Sequence, residues 1–256
     1  MNLDRTTYFS PEMNRKYMGN SQFLDFVKCE ESALLKIDTE DTKTVAFQQG
    51  HAFDDCFEIP NADPVQIVAK YPLLMRKDGK PNADGVAVIR AFERATREPL
   101  FMEFASGIQQ VIKTGEIEGV EFKTMIDSYH PGKAIVDRKL VKDFETIWNE
   151  SEGGRVSFIR HWGYDIQAAI YQAIEGEKLP FIIAAVTKES VPDIALIQVP
   201  QHLIDDRLEY VKFYAPKFAA IKRGELEPER CGKCDHCKDT KTLTYIQSLD
   251  DFEPTF

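Results

Sequence analysis

Two neighbouring segments with the residue pattern of β-strands restrict the fold of this chain most strongly. Residues 119–127 and 133–141 are rich in apolar and β-branched residues, and residues 128–132 between them contain a Pro-Gly pair. Two such segments separated by a short turn are typical of a β-hairpin. In a strand, the side chains at positions i and i+2 project from the same face. The hairpin therefore predicts which of its polar side chains lie together.

The rest of the chain predicts helices and further strands around this hairpin. Apolar residues at helical spacing predict six helices, over residues 12–36, 46–57, 83–97, 99–113, 165–175 and 201–223. Apolar, β-branched runs predict strands over residues 180–187 and 194–199, while the proline-rich stretch 59–82 predicts a loop. This order of elements indicates an α/β protein of the α+β type, with a mixed central sheet flanked by helices.

The length of the chain fits one domain. Its 256 residues, 43% of them hydrophobic, can bury one large core. We therefore predict a single domain over residues 1–256. It comprises a helical N-terminal part (about 1–115), a catalytic core (about 116–225) and a C-terminal cysteine segment (about 226–256).

The predicted hairpin carries two carboxylates and a lysine. Asp127 ends its first strand, and Asp137 and Lys139 share one face of the second strand. Two carboxylates that face one point suit a hard cation such as Mg²⁺ or Mn²⁺, and a nearby ammonium group can orient a water molecule. Metal-assisted hydrolysis of a phosphodiester needs such a set. Taken alone, the Asp-x-Lys pattern fits a surface salt-bridge ladder better than a metal site. Glu121-Phe122-Lys123 has a similar form but precedes Asp127.

Four stretches, in this order, resemble one branch of a known superfamily. They are Gly50-His51, Met125-Ile126-Asp127, Ile135-Val136-Asp137-Arg138-Lys139 and the helix from Gly163 to Tyr171. Together they resemble the phage RecE-type branch of the PD-(D/E)XK nucleases, which includes relatives of lambda exonuclease. The resemblance implies a restriction-endonuclease-like core.

The resemblance also implies roles for individual residues. His51, Asp127, Asp137 and the main-chain carbonyl of Arg138 would bind Mg²⁺ or Mn²⁺. Lys139 would assist the attacking water, and two residues of the following helix, Gln167 and Tyr171, would support the site. The second acid is Asp where Glu is commoner, so its shorter arm would hold the metal nearer to the strand. The alternative without a functional role is that His51 is a hydrogen-bonded polar side chain, and that Gln167 and Tyr171 pack against each other one helical turn apart.

Three of the five cysteines form a C-x₂-C-x₂-C run near the C-terminus. Cys231, Cys234 and Cys237 have the spacing of metal ligands, and Cys29 is the candidate for the fourth. This pattern is similar to that of the AddB-type iron–sulfur nucleases, which implies a [4Fe–4S] cluster that clips the chain ends together. Structural zinc, with His236 as another candidate ligand, and no metal at all are the alternatives. Cys56 fits a small buried apolar residue.

The net charge of −10 at first argues against a nucleic-acid partner. A local basic cluster, Lys133, Arg138, Lys139 and Lys142, argues the other way, and we predict that Lys133 and Lys142 contact DNA. A solvated strand edge is the alternative for this cluster.

The N-terminal residues show no signal peptide and no apolar run reaches the length of a membrane span, so a cytoplasmic protein is expected.

The resemblance implies a 5′→3′ exonuclease on double-stranded DNA that serves phage recombination. It further implies a phage or prophage protein in a bacterial host, a homo-oligomeric ring and a single-strand annealing protein as partner. Three alternatives remain: a non-catalytic DNA-binding or interaction module on the same fold, an endonuclease or single-strand nuclease of the CRISPR-adaptation type, and a redox role for the cysteines. The chain contains no P-loop or G-x-G-x-x-G pattern.

Overall fold

The centre of the fold is a five-stranded mixed sheet. The computed structural model describes residues 3–39 and 44–249. The strands are β1 (Ile108–Ile117), β2 (Val120–His130), β3 (Ala134–Val141), β6 (Phe181–Thr187) and β7 (Ile194–Gln198), in the spatial order β1-β2-β3-β6-β7. β3 and β6 are parallel, and the other neighbours are antiparallel. A separate two-stranded ribbon pairs β4 (Ile147–Asn149) with β5 (Gly154–Val156).

Helices cover both faces of this sheet. The N-terminal helices are α1 (Pro11–Lys16), α2 (Asn20–Lys28), α3 (Glu30–Lys36), α4 (Val45–Glu58), α5 (Pro64–Val68), α6 (Ala83–Thr96) and α7 (Pro99–Ala105), with a 3₁₀ turn at Pro72–Leu74. The later helices are α8 (Phe158–His161), α9 (Tyr164–Glu175), α10 (Gln201–Lys222) and α11 (Asp235–Asp239). Within residues 3–39 and 44–249, none of these helices has the length and apolar character needed to cross a membrane.

The alternation of side chains along β3 divides the core into two parts. Ile135 and Val141 pack with α2, α3, α9 and α10 on one face of the sheet. Val136 packs with α4 to α7 on the other face. Since Asp137 and Lys139 share the parity of Ile135, they face α9, whereas Arg138 faces α4. Each face of the strand thus has its own polar partners.

The structure confirms most of the predicted elements, divides the predicted helix 12–36 into α1, α2 and α3, and contradicts the helix predicted over residues 99–113. The segment 99–113 is not a single helix, because α7 ends at Ala105 and residues 108–117 form strand β1. Residues 118 and 119, both with positive φ (48° and 73°), make the tight turn that joins β1 to β2. Two-residue turns with both φ positive match the twist of an antiparallel pair. Pairing with β2 therefore decides the structure of this segment, and the predicted helical N-terminal part ends before residue 108. The predicted loop 59–82 contains α5 and the 3₁₀ turn.

Gly163 offers a test of the turn that begins α9. Its φ of +72° lies in the left-handed region, and a Cβ atom there would lie 2.7 Å from Leu24 Cδ2. We expect Gly163→Ala to lower the free energy of unfolding by about 1–2 kcal/mol, because L-residues are strained in this region. Denaturant unfolding measures this difference. The matched control is Gly50→Ala inside α4, where a Cβ would meet no atom within 4 Å; it should be neutral or stabilising. Equal stability of both variants would contradict the account of the turn.

Candidate active site and cysteine site

The site forms where β2 and β3 separate. Their ladder ends at the pair Ser128 and Val136, and continuing the register by one residue sets Asp127 opposite Asp137. At that point the carboxylate of Asp127 accepts a hydrogen bond from the main-chain N–H of Arg138 at 2.9 Å. It also accepts one from Gln110 Nε2 at 3.3 Å. A side chain therefore bridges the two strands where their main chains part.

Asp137 is buried between Gln167 and Lys139. Its Oδ1 accepts a hydrogen bond from Gln167 Nε2 at 2.6 Å, and its Oδ2 lies 2.5 Å from Lys139 Nζ. Burial and the charge of Asp127 raise the pKa of Asp137, while Lys139 opposes that shift. The residue that sequence reasoning set beside Asp137 on the strand is therefore its ion-pair partner, and the predicted helix residue Gln167 fixes its other oxygen.

Lys139 is held charged at the same point. Burial disfavours its charged form, but the charge of Asp137 outweighs burial and raises the pKa of Lys139. The ring of Tyr164, at the start of α9, lies 4.8 Å from Lys139 Nζ. An ammonium group over an aromatic face is stabilised by the ring quadrupole. Lys139 is therefore a cation positioned between Asp137 and the ring of Tyr164.

On the opposite face of β3, Arg138 binds a residue that sequence reasoning missed. Its fully buried guanidinium lies 3.0 Å from Asp54 Oδ1 of α4 and donates to Ala105 O at 3.2 Å. Burial and the charge of Asp127 raise the pKa of Asp54, and Arg138 opposes the shift. The available signal was an acid three positions after His51, one turn along the same helix.

The predicted ligand His51 lies on α4 but is not assembled with the two acids. Its half-buried ring contacts Phe47, with ring centroids 4.2 Å apart. Burial lowers the pKa of His51, and the charges of Asp55 and Asp127 oppose this. In the part of the chain that the structure describes, the four cysteines are the one group of three or more His, Cys, Asp and Glu side chains placed to hold a metal ion. His51, Asp127 and Asp137 do not form such a group there.

The remaining predicted residues fall at different places. Tyr171 is buried in the core, and its hydroxyl donates to the Met125 carbonyl of β2 at 3.1 Å. Lys142 lies just after the end of β3, with its side chain 91% exposed, and lines the groove described below. Lys133 lies before the other end of β3, roughly 25–30 Å away along the strand. The structure therefore does not bring Lys133 together with Lys142.

A groove of about 910 Å³ opens beside the site. Its walls are α4, the C-terminal half of β3, the β4–β5 ribbon and α8, and Asp54, Arg138 and Lys139 reach its lining. We call this cavity the groove. Lys139, whose side chain is 20% exposed, lines the groove, and a polymer substrate can lie along it.

The second cluster contains four cysteines from both ends of the chain. Cys29 lies between α2 and α3, and the other three lie in residues 231–237. Cys237 Sγ lies 3.6 Å from Cys29 Sγ and 3.9 Å from Cys231 Sγ. The four sulfur atoms all lie within 4.8 Å of one another. The candidate for the fourth ligand is thus beside the run of three.

Polar contacts around these cysteines also join the two ends. The main-chain N–H of Cys234 donates to Cys231 Sγ at 3.3 Å, and that of Cys237 donates to Cys234 Sγ at 3.4 Å. Glu31 pairs with Arg230 at 2.7 Å and with His236 at 3.1 Å. His236 therefore lies next to a carboxylate beside the cluster, and the buried Cys56 of α4 belongs to neither site.

A comparison with known protein families identifies the family of this chain. The family described as "PDDEXK-like domain of unknown function (DUF3799)" matches residues 19–240. The chain belongs to this family. The match covers both acids, Lys139 and all four cysteines of the cluster, and the five-stranded mixed sheet flanked by helices agrees with it.

Solved structures agree with the family assignment. The crystal structure of a presumed exonuclease from Eubacterium rectale is 36% identical, covers 98% of this chain and 98% of its own, and superposes with a TM-score of 0.89. A structure of SSO0001 is 12% identical, with 76% of this chain and 84% of its own covered, and its TM-score of 0.30 is too low to indicate a shared fold. A search of curated proteins found no match.

The pairing of Arg138 with Asp54 predicts a measurable loss of stability. We expect Asp54→Ala to lower the free energy of unfolding by about 1–3 kcal/mol, because it leaves a buried guanidinium without its carboxylate. The control is Asp78→Ala, which breaks an exposed ion pair with Arg76 and should cost less than about 0.5 kcal/mol. Thermal or urea unfolding measures both variants. Similar small losses in the two variants would show that the ion pair does not stabilise the site.

Proposed function

We propose that this chain is a DNA nuclease that hydrolyses phosphodiester bonds with the help of Mg²⁺ or Mn²⁺. The observation that carries the proposal is the convergence of Asp127, Asp137 and Lys139 where β2 and β3 separate, within a PDDEXK-like fold. The similarity to a presumed exonuclease over nearly the whole chain supports the same conclusion.

The donor set suits a hard divalent cation. Asp127 and Asp137 offer carboxylate oxygens, and the charge of Asp127 raises the pKa of Asp137, a repulsion that a bound cation would offset. These two residues would hold the ion, with the Arg138 carbonyl and His51 as further donors. His51 would have to approach the acids to take part. When bound, the cation acts as a Lewis acid on the phosphate.

The remaining residues bind and orient the reactants. Lys139, held charged by Asp137, orients the attacking water and offsets the charge that grows on the phosphate. Gln167 keeps one oxygen of Asp137 fixed through its 2.6 Å hydrogen bond. Tyr171 is a positioning residue, because its hydroxyl holds the main chain of β2 two residues before Asp127.

We further propose that the enzyme is a 5′→3′ exonuclease on double-stranded DNA in phage recombination. The resemblance to RecE-type exonucleases implies this direction and substrate, and also a homo-oligomeric ring, an annealing-protein partner and a bacterial host, in which we propose a cytoplasmic location. A non-catalytic DNA-binding module and an endonuclease are the competing functions. Digestion of linear against circular duplex with Mg²⁺, using 5′- and 3′-labelled strands, separates all three.

Two substitutions test the catalytic assignment. We expect Asp137→Ala and Lys139→Ala each to reduce Mg²⁺-dependent digestion of linear duplex by on the order of 10²–10⁴-fold, because one removes a ligand and the other the positioned cation. The control is Glu121→Ala, at an exposed residue of β2 that sequence alone offers as a decoy; it should retain nearly full activity. Full activity in either site variant, with circular dichroism confirming its fold, would mean that another strand carries the chemistry.

For the cysteine site we propose a single structural zinc ion. Around a tetrahedral ion with zinc–sulfur bonds of about 2.3 Å, neighbouring sulfur atoms lie about 3.8 Å apart. Two of the observed separations, 3.6 and 3.9 Å, match this value, and all four sulfur atoms lie within 4.8 Å of one another. A [4Fe–4S] cluster places four iron atoms between its thiolates and needs wider spacing, so the geometry favours zinc over the cluster that the family resemblance implied. The ion would hold Cys29 of the N-terminal helices against the C-terminal segment.

Metal analysis of the purified protein tests this proposal. We expect colourless protein with one zinc per chain and a lower melting temperature after chelation, because removing the ion releases the link between the chain ends. Cys237→Ser should lose the zinc and the response to chelator. Cys56→Ala, which changes a buried cysteine outside the cluster, should keep both. Brown protein that absorbs at about 400 nm and contains iron would establish the cluster instead.

A further inference from the structure

Both tryptophans of the chain lie exposed on the rim of the groove. The sequence contains two tryptophans, Trp148 and Trp162, which are 58% and 51% exposed and line the same cavity as Lys139. Large aromatic side chains usually pack in a core or an interface, where each can bury about 150–250 Å² of surface. Two of them exposed beside one cavity therefore mark a binding surface.

Trp148 is presented by the β4–β5 ribbon together with an arginine. In the ribbon, Trp148 pairs directly with Arg155, and Ile147 pairs with Val156. Val156 is buried and Ile147 packs against the core, so the alternation of the strands turns Trp148 and Arg155 towards solvent. The ribbon thus offers an aromatic face and a guanidinium side by side.

Trp162 connects this rim to the candidate active site. It precedes Gly163, whose positive φ begins α9, and lies two residues before Tyr164. Tyr164 contacts Lys139 through its ring. A ligand that covers Trp162 therefore lies next to the residue to which we assign the orientation of the attacking water.

The groove differs in charge from the chain as a whole. Apart from the fully buried Arg138 and its partner Asp54, four lining residues are basic (Lys139, Lys142, Arg155, Lys188) and two are acidic (Asp143, Glu145), in a chain of net charge −10. A basic surface with exposed aromatic rings is the combination that binds single-stranded nucleic acid, since phosphates need cations and unpaired bases need stacking partners. A duplex offers its phosphates, but its base faces are already covered.

We infer that the groove binds an unpaired stretch of a DNA strand, with bases stacked on Trp148 and Trp162 and phosphates on Lys142, Arg155 and Lys188. The inference rests on the proposed nuclease function and names the form of the substrate at the site. A duplex end would be separated before cleavage, and the strand to be cut would pass the β4–β5 ribbon on its way to Lys139.

Because both tryptophans line the groove, their fluorescence reports its occupancy. Without added divalent metal, an oligothymidylate strand should quench the emission of the wild-type protein. A duplex of the same length with both ends closed by hairpin loops should quench it weakly. Gel analysis of the strand after the titration verifies that it is intact. Equal quenching and equal affinity for the strand and the closed duplex would overturn the inference.

Substitutions then test the stacking itself. By anisotropy of a dye-labelled strand, Trp148→Ala and Trp162→Ala should each weaken binding about 5- to 150-fold, the range expected for loss of one stacked base. Trp148→Phe and Trp162→Phe keep a ring and should stay within a few fold of wild type. The control is Phe213→Ala, at a 76% exposed aromatic residue of α10 that does not line the groove. Unchanged binding in both alanine variants would overturn the inference.

These results are independent of cleavage. Active nuclease that binds closed duplex as well as single strands would disprove the unpaired substrate and leave the catalytic proposal intact. Strand binding that depends on the tryptophans, together with Mg²⁺-dependent cleavage that Asp137→Ala leaves unchanged, would do the opposite.

Discussion

The fold depends on how the chain separates two strands in the middle of a buried sheet. Where β2 and β3 part, the carboxylate of Asp127 accepts the N–H of Arg138 and bridges the strands. Buried main-chain groups must be hydrogen-bonded, and the carboxylate of Asp127 gives the N–H of Arg138 the partner that it loses where the strands separate. The opening in turn lets Asp137 and Lys139 lie beside Asp127 without a ladder between them. The site is therefore a consequence of the sheet's own hydrogen bonding.

Polar partners on the two faces then stabilise the charges that the opening buries. On one face, Gln167 of α9 and Lys139 satisfy Asp137, and on the other, Asp54 of α4 satisfies Arg138. Buried charges without partners cost roughly several kcal/mol each, so these pairs stabilise the sheet. The same pairs leave the carboxylates of Asp127 and Asp137 close enough to influence one another. Stability and the proposed chemistry thus draw on one network.

The sequence allowed a large part of this arrangement to be predicted, since much of it is local. Strand alternation alone put Asp137 and Lys139 on one face, and spacing alone singled out the cysteine run. Strand β1 was missed because Ile108–Ile117 becomes a strand through pairing with β2, which is a long-range effect that local periodicity does not carry. Asp54 was missed for a similar reason, since only the packing of α4 against β3 brings it to Arg138. The same holds for the exposed tryptophans, whose common groove exists only in three dimensions.

The central claim is that one divalent cation lies between Asp127 and Asp137, next to Lys139. Anomalous diffraction from crystals soaked in Mn²⁺ tests it most directly, because manganese can be located without any assumption about the reaction. The account expects a manganese peak in contact with both carboxylates, absent in crystals of Asp137→Asn. A fully occupied manganese site elsewhere in an active protein, with none at these two residues, would contradict it.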